Sequence, residues 1–481
     1  MIREEGERTI APPIRPDRTG SGGTVQAAKC RLLPMAAGVL CIAVLGGGWH
    51  AAGAEAGQTG EQQEQVLSGE GAWGYAGPHA VIGNATMFVS YLDRSGVTWV
   101  AAVDLQSGDV AKKEVWRGNA DLHSANPICL RADGRIQVFL DRGSYVDNTI
   151  HWRVSVRPWD VSEFGELQES SPQTDVIQGR QFYPLLARSS GHMYLIVNAL
   201  TDDGIRETVM WRSRDGGDSF GEHSRLWSLA QDLRGNRSYT RAYIEGDDIH
   251  LAAVRVGWNE LLDGHNIGRV EGVYYTRLDT VEQAFYHADG RHAFDLADAP
   301  VYDTQYLDEI WSWEETGRRR RALWADVVAK DGRPYVALAV QDAVAEGESA
   351  LHDGYWATVD AQGRWRSHRL ATLARGWDNT PERKNYAMAI DPQSPETVFV
   401  AKSTDVSADL SQVHRMTTTD GGLTWTSVEA LSVEGRMTTV VVPQVVDGTP
   451  RAVDVLWLDG RMEGWGSYAP KVMMRWRAGA P

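Results

Sequence analysis

Five side chains in this sequence are of kinds that move protons or hold carboxylates: His123, Tyr183, Tyr239, Arg241 and His265. His and Tyr suit proton transfers, and the Arg fork matches a planar carboxylate with two parallel N–H bonds. Tyr239 and Arg241 alternate along a strand-like run, so their side chains share one face. That spacing fits a pair lining a cleft and fits a solvent-facing cross-strand contact equally well. The others carry the same ambiguity. His123 stands at a strand end, where a turn hydrogen bond is an ordinary use of His; Tyr183 precedes Pro184, where a ring can pack between layers; His265 lies in the Gly-bounded loop Asp263-Gly-His-Asn266. Trp258, Trp311, Trp313 and Trp377 lie in polar loops and are suited to stacking on sugar rings, although such residues more often close packing layers.

The elements that must position these groups are short strands. From about Ala72 onward, apolar and β-branched runs recur between turn signals, beginning at 85, 136, 192, 249, 334 and 397. The intervals are 51 to 63 residues except for one of 85, which implies an insertion or a missed blade. That period, over about 400 residues, predicts an all-β, seven-bladed β-propeller with four short strands per blade. No capped stretch of 3.6-residue periodicity stands out, and 281–286 makes at most one or two helical turns. The chain is long enough for one to three domains, but no Pro-, Gly- or Ser-rich linker follows Ala72, so residues 72–481 read as one propeller.

Two turns support this architecture, Ser213-Arg-Asp-Gly-Gly-Asp-Ser-Phe220 and Thr417-Thr-Thr-Asp-Gly-Gly-Leu-Thr-Trp425. Both have the form of Asp-box turns. Asp215 and Asp420 are placed to accept backbone N–H bonds across the turn, Gly217 and Gly422 permit positive φ, and Phe220 or Trp425 closes beneath. Their role is structural.

A formal charge of -16 disfavours nucleic acid and anionic membranes as partners. The one dense basic run, Arg318 to Arg321, reads as a solvated loop. Nineteen Trp against eight Phe suit a surface or cleft rich in amphipathic aromatics. Near the N-terminus, Lys29 and Arg31 precede an apolar run from Leu32 to about Gly47, and Ala52-Gly-Ala54 follows. Residues 1–54 therefore read as an export signal cleaved near Ala54, residues 55–71 as a flexible mature N-terminus, and the product as periplasmic or extracellular without stable membrane insertion. Cleavage removes Cys30 and Cys41 and leaves Cys129 without an intrachain partner, as a buried packing residue. A monomer is expected.

The sequence resembles the BNR-repeat proteins related to ulvan lyases and rhamnose-glucuronate lyases, a sialidase-like propeller family. The likeness runs through 121–139, 152–160, Arg237-Ser-Tyr-Thr-Arg241, Ile249-His250, Val273-Tyr-Tyr275, Phe285 to Gly290 and Leu456 to Arg461, in shared order with the two turns. What it implies is a seven-bladed propeller that acts by β-elimination at a uronic acid of an anionic polysaccharide. Such a step needs neutralisation of the carboxylate, a base for the C5 proton and an acid for the leaving oxygen. It requires no cofactor; a structural metal ion is left open.

By the resemblance, His123, Tyr183 and Tyr239 are the catalytic candidates, and Arg241, His265, Asn126, Arg142 and Trp258 the substrate-binding ones. Two positions depart from the family pattern. Gly143 stands where relatives place a second His, with Arg142 beside it as a partial substitute, and Asn198 stands where a basic residue is usual. A glycoside hydrolase and a non-catalytic glycan-binding propeller remain alternatives; no Arg-Ile-Pro start motif marks a true sialidase.

Overall fold

The six apolar runs legible in the sequence are all second strands of blades: Thr86–Leu92, Ile136–Leu140, Met193–Thr201, Asp248–Gly257, Arg333–Asp342 and Thr397–Asp405. They read as near-continuous apolar runs because neighbouring blades cover both of their faces; every residue of Ile136–Leu140 is buried. The computed structural model describes residues 62–73, 77–118, 126–140, 149–171, 176–201, 206–227, 237–257, 269–300, 304–312, 320–342, 352–374, 387–405, 410–446, 453–460, 462–464, 467–468 and 470–477.

Seven antiparallel blades surround a central axis, as the strand spacing predicts. Their innermost strands are Ala80–Gly83, Ile128–Leu130, Val176–Leu186, Arg237–Glu245, Arg320–Lys330, Met388–Ile390 and Met437–Val441. Blade 7 is completed from the other end of the sequence, since Gln62–Ser68 pairs antiparallel with Lys471–Arg477. This corrects the expectation of a flexible stretch over 55–71: residues 62–68 are the outermost strand of blade 7. The ladder explains it, because without that strand the edge of Lys471–Arg477 would be unpaired.

The 85-residue interval is an insertion rather than a missed blade. Between the third and fourth strands of blade 4, Arg269–Asp279 and Asp308–Ser312, the chain adds a hairpin of Ala284–Tyr286 and His292–Asp295. Residues 284–286 are therefore strand, not helical turn. Phe285 stacks on Phe294 at 4.4 Å and meets Trp227 of blade 3 edge-on.

Both Asp-box turns join a third strand to a fourth, at the end of the propeller where the innermost strands finish. Asp215 Oδ1 accepts the Asp218 and Ser219 N–H groups at 3.1 and 2.9 Å, and Asp420 Oδ1 accepts Thr424 N–H at 2.9 Å. These bonds and the flanking hydroxyls hold both carboxyls down at about 2 against the cost of burying them; for Asp215 the opposing burial is the larger single influence, for Asp420 the Thr424 hydroxyl is. Gly217 (φ +100) and Gly422 (φ +92) are required twice over. A Cβ would lie 2.4 Å from Gln137 Oε1 at the first and 2.8 Å from Trp356 at the second, so each turn presses on the preceding blade. Phe220 is buried beneath the first turn, and Trp425 packs edge-on against Trp356 beneath the second.

Cys129 is buried, as expected, and burial pushes its thiol up to about 12. Among the described residues no helix is long and apolar enough to cross a membrane, and no group of three or more His, Cys, Asp or Glu is placed to hold a metal ion.

Candidate functional site

Innermost strands bring their side chains to the axis at every second residue, and two expected residues arrive there. Tyr183 on blade 3 and Arg241 on blade 4 line one central cavity of about 80 Å³. Further polar groups line it that the sequence did not single out: His79, ahead of the inner strand of blade 1, Asp326, on the inner strand of blade 5, and Gln444. Tyr243, two residues beyond Arg241, forms part of the wall.

Asp326 owes its placement to a bulge. The register between Arg320–Lys330 and Arg333–Asp342 shifts between Trp324 and Asp326, which re-aims the following side chain. A similar shift between Arg180 and Phe182 precedes Tyr183. Neither bulge has a sequence signature, and the only signal that marked Asp326 was a carboxylate inside an otherwise apolar run, Ala325-Asp-Val-Val328.

The electrostatics centre on one ion pair. Arg241 Nε lies 3.2 Å from Asp326 Oδ1, with both side chains mostly buried. Asp326 also accepts N–H bonds from Val327 at 3.0 Å and from Ile390, on the inner strand of blade 6, at 2.9 Å. Its carboxylate thus joins three blades. Burial raises the Asp326 carboxyl, while the Arg241 charge and the two N–H groups oppose that rise. Burial likewise raises the Tyr183 phenol, with Arg241 pulling the other way and Asp326 adding to the rise. The phenol is protonated at neutral pH and can donate. His79 is buried and stacks on Trp73, with ring centroids 6.1 Å apart.

The remaining candidates divide into three groups. Tyr239 shares the face of Arg241 but lies in the apolar cluster between blades 4 and 5, with Val254, Val273 and Val327, and does not line the cavity. Asn126, expected to bind substrate, is buried between blades 1 and 2: its side-chain Nδ2 donates to Thr98 Oγ1 and its backbone carbonyl accepts the Ser90 hydroxyl at 2.6 Å. It serves as a blade-to-blade tie. His123, Arg142, Trp258 and His265 lie outside the described residues. The strands flanking their segments end on the face where the innermost strands begin, opposite the Asp-box turns. Trp313 and Trp377 are also outside the described residues, while Trp311 packs edge-on against Tyr355.

Asn198, read in the sequence as a lost basic residue, has a definite task. Its Oδ1 accepts Thr240 N–H at 2.9 Å and its Nδ2 reaches Thr240 O at 3.5 Å, so blade 3 grips the inner strand of blade 4 between Tyr239 and Arg241. The Thr208 and Thr240 hydroxyls meet at 2.6 Å beside it. Asn198→Leu is expected to cost about 1–3 kcal/mol, because a buried N–H loses its acceptor. Denaturant unfolding of the variant measures this, and an unchanged midpoint would refute the clamp.

A second cavity of about 290 Å³ continues along the axis on the far side of Tyr243, Leu185, Pro392 and Gln444. It holds Glu245, but both Glu245 oxygens are taken by the Asp331 and Gly332 N–H groups at 2.8 and 2.9 Å. The smaller cavity, with its Tyr, Arg, Asp and His, is the candidate site.

No protein-family model matches the sequence, and neither does any curated protein. Among solved structures, an ulvan lyase of polysaccharide lyase family 25, bound to a fragment of glucuronate and 3-sulfated rhamnose, aligns with a TM-score of 0.65 at 14% identity, over 86% of this chain and 94% of that one. The polysaccharide lyase Uly1 aligns with a TM-score of 0.57 at 10% identity, over 89% and 94% of the two chains. At such identities the likeness establishes a shared fold.

Proposed function

We propose that this chain is an exported, carbohydrate-active propeller that cleaves a uronate-bearing anionic polysaccharide by β-elimination. The observation that carries the reading is the convergence of Tyr183 and Arg241, from different blades, on one axial cavity. An ulvan lyase bound to a glucuronate–rhamnose fragment has the same fold, which is consistent with it. In this reading Arg241 neutralises the uronate carboxylate and acidifies the C5 proton. Tyr183 gives its proton to the leaving glycosidic oxygen, and the base for the C5 proton is His123, on the ground of the sequence resemblance. In this reading the uronate carboxylate is held in the cavity of about 80 Å³ beside Arg241.

Glycoside hydrolysis needs two carboxyl groups flanking one bond, and Asp326 is the only carboxylate among the described residues lining this cavity. A non-catalytic glycan-binding propeller is the second reading, favoured by the engagement of Arg241 with Asp326.

Incubation with ulvan and other rhamnose-uronate polymers, followed by ultraviolet absorbance, separates the readings. The expected result is a rise from unsaturated uronate ends. New reducing ends without absorbance would mean hydrolysis, and binding without either product would leave the non-catalytic reading.

A further inference from the structure

We infer that Asp326 is the resident occupant of Arg241, and that an acidic sugar enters the cavity by taking its place on the guanidinium while Asp326 takes up one proton from solvent. This rests on the carboxylate-binding role proposed for Arg241 and adds to it a determinant of specificity and of pH dependence.

The geometry is that of one cation facing one carboxylate across a small cavity. Arg241 Nε and Asp326 Oδ1 are 3.2 Å apart, and the cavity they line is about 80 Å³. Asp326 is fixed from a second side by the Ile390 and Val327 N–H groups, so it stays near the cavity when its partner turns away. The other titratable groups around it are Tyr183 from blade 3, Tyr243 beside Arg241 on blade 4, and His79 from blade 1; Asp391 follows Ile390 on blade 6 and acts on Tyr243. Blade 7 contributes Val441, Val442 and Gln444, which do not titrate. Arg241 is therefore the one permanent cation lining this cavity among the described residues.

Two carboxylates sharing a confined site with one cation do not both stay ionised. Asp326 is predisposed to give way, since burial already raises its carboxyl in the unliganded protein. The exchange balances: the incoming carboxylate forms the bond to Arg241, the Asp326 bond breaks, and a proton from water neutralises Asp326. The net charge of the cavity is unchanged. A neutral sugar brings no anion to exchange and leaves the pair closed, so the pair discriminates against uncharged glycans.

The test is titration calorimetry of the Tyr183→Phe protein, chosen to prevent turnover, with desulfated ulvan tetrasaccharide and its carboxyl-reduced, uncharged counterpart. Measurements are made in two buffers of different ionisation enthalpy. The expected result is uptake of about one proton per acidic tetrasaccharide, with affinity falling by about tenfold per pH unit between the free and liganded pKa values of Asp326. The affinity is flat on either side of that window. Adding Asp326→Asn removes the uptake and the slope and tightens binding at the alkaline end; Asn keeps an acceptor for the Ile390 N–H, and thermal melting checks its fold. Binding of the acidic tetrasaccharide with no proton uptake at any pH, or uptake that survives Asp326→Asn, overturns this inference alone. The measurement without Asp326→Asn does not depend on that variant folding. Equal binding of the acidic and carboxyl-reduced sugars, or binding of neither, overturns the role of Arg241 as well.

Discussion

Replacement of Arg241 by Ala is expected to lower kcat/KM on a uronate polymer by about 10²–10³-fold, the scale for removing one preorganised charge stabiliser from a transition state. The same substitution strips Asp326 of its counter-charge. Breaking a buried pair from one side costs about 3–5 kcal/mol when the survivor stays ionised. Asp326 can escape part of this by protonating, and that fixes the sign of the pH dependence. In Arg241→Ala the folded-state pKa of Asp326 rises still further above its unfolded value. The variant should therefore come nearest to wild-type stability in acid and lose stability as pH rises through that folded pKa. Arg241→Ala with Asp326→Asn removes the unpaired charge and is expected to recover the stability while remaining inactive. Paired melting and absorbance assays across pH distinguish the two effects. Wild-type activity in a folded Arg241→Ala protein would remove Arg241 from the site.

The second large effect is expected for Tyr183→Phe, which deletes a hydroxyl and little else. Loss of a positioned acid lowers kcat by about 10²–10⁴-fold, and KM should hardly move because the carboxylate contact is intact. Burial raises the phenol, so Tyr183 begins the cycle as a proton donor. The Tyr183-dependent part of kcat should accordingly stay level from neutral into mildly alkaline pH. A Tyr183 acting first as base would instead make the rate climb with pH. If Tyr183 served only to pack between blades, the Phe variant would retain full kcat, and that single result would end its assignment as the acid.

Much of the scaffold was legible because its signals are local. Ile136–Leu140 and the other second strands are buried on both faces, so their burial appears directly as apolar runs. Asp215, Gly217, Asp420 and Gly422 announce their turns because the hydrogen bonds and positive φ angles lie within a few residues. The inner strands Ile128–Leu130 and Met388–Ile390 are only three residues each, too short to give a pattern. Residues 62–68 appeared to be a free tail because their partner, Lys471–Arg477, is at the opposite end of the sequence.

The site was less legible for the same reason. Tyr183 and Arg241 were recognisable as chemically apt, yet nothing within either segment placed them on one cavity. The resemblance implies a substrate-binding Asn126, whereas its hydrogen-bond partner, Thr98, belongs to another blade and is brought to it only by the fold. Asn198 looked like a loss because its task, holding the Thr240 peptide, exists only across a blade boundary. Asp326 carries no mark in the sequence beyond its apolar neighbours, since the bulge that aims it at Arg241 has no residue signature.

The sequence by itself determined the strand period, the turn chemistry and the repertoire of proton donors and cations. All of these follow from contacts a few residues apart. The tertiary structure decided that Tyr183, Arg241, Asp326 and His79 meet, that Tyr239 and Asn126 do not join them, and that Arg241 already has a carboxylate partner. Ring closure, strand register and single-residue bulges set which side chains reach the axis, and a shift of one residue in any inner strand would exchange the cavity face for the blade interface.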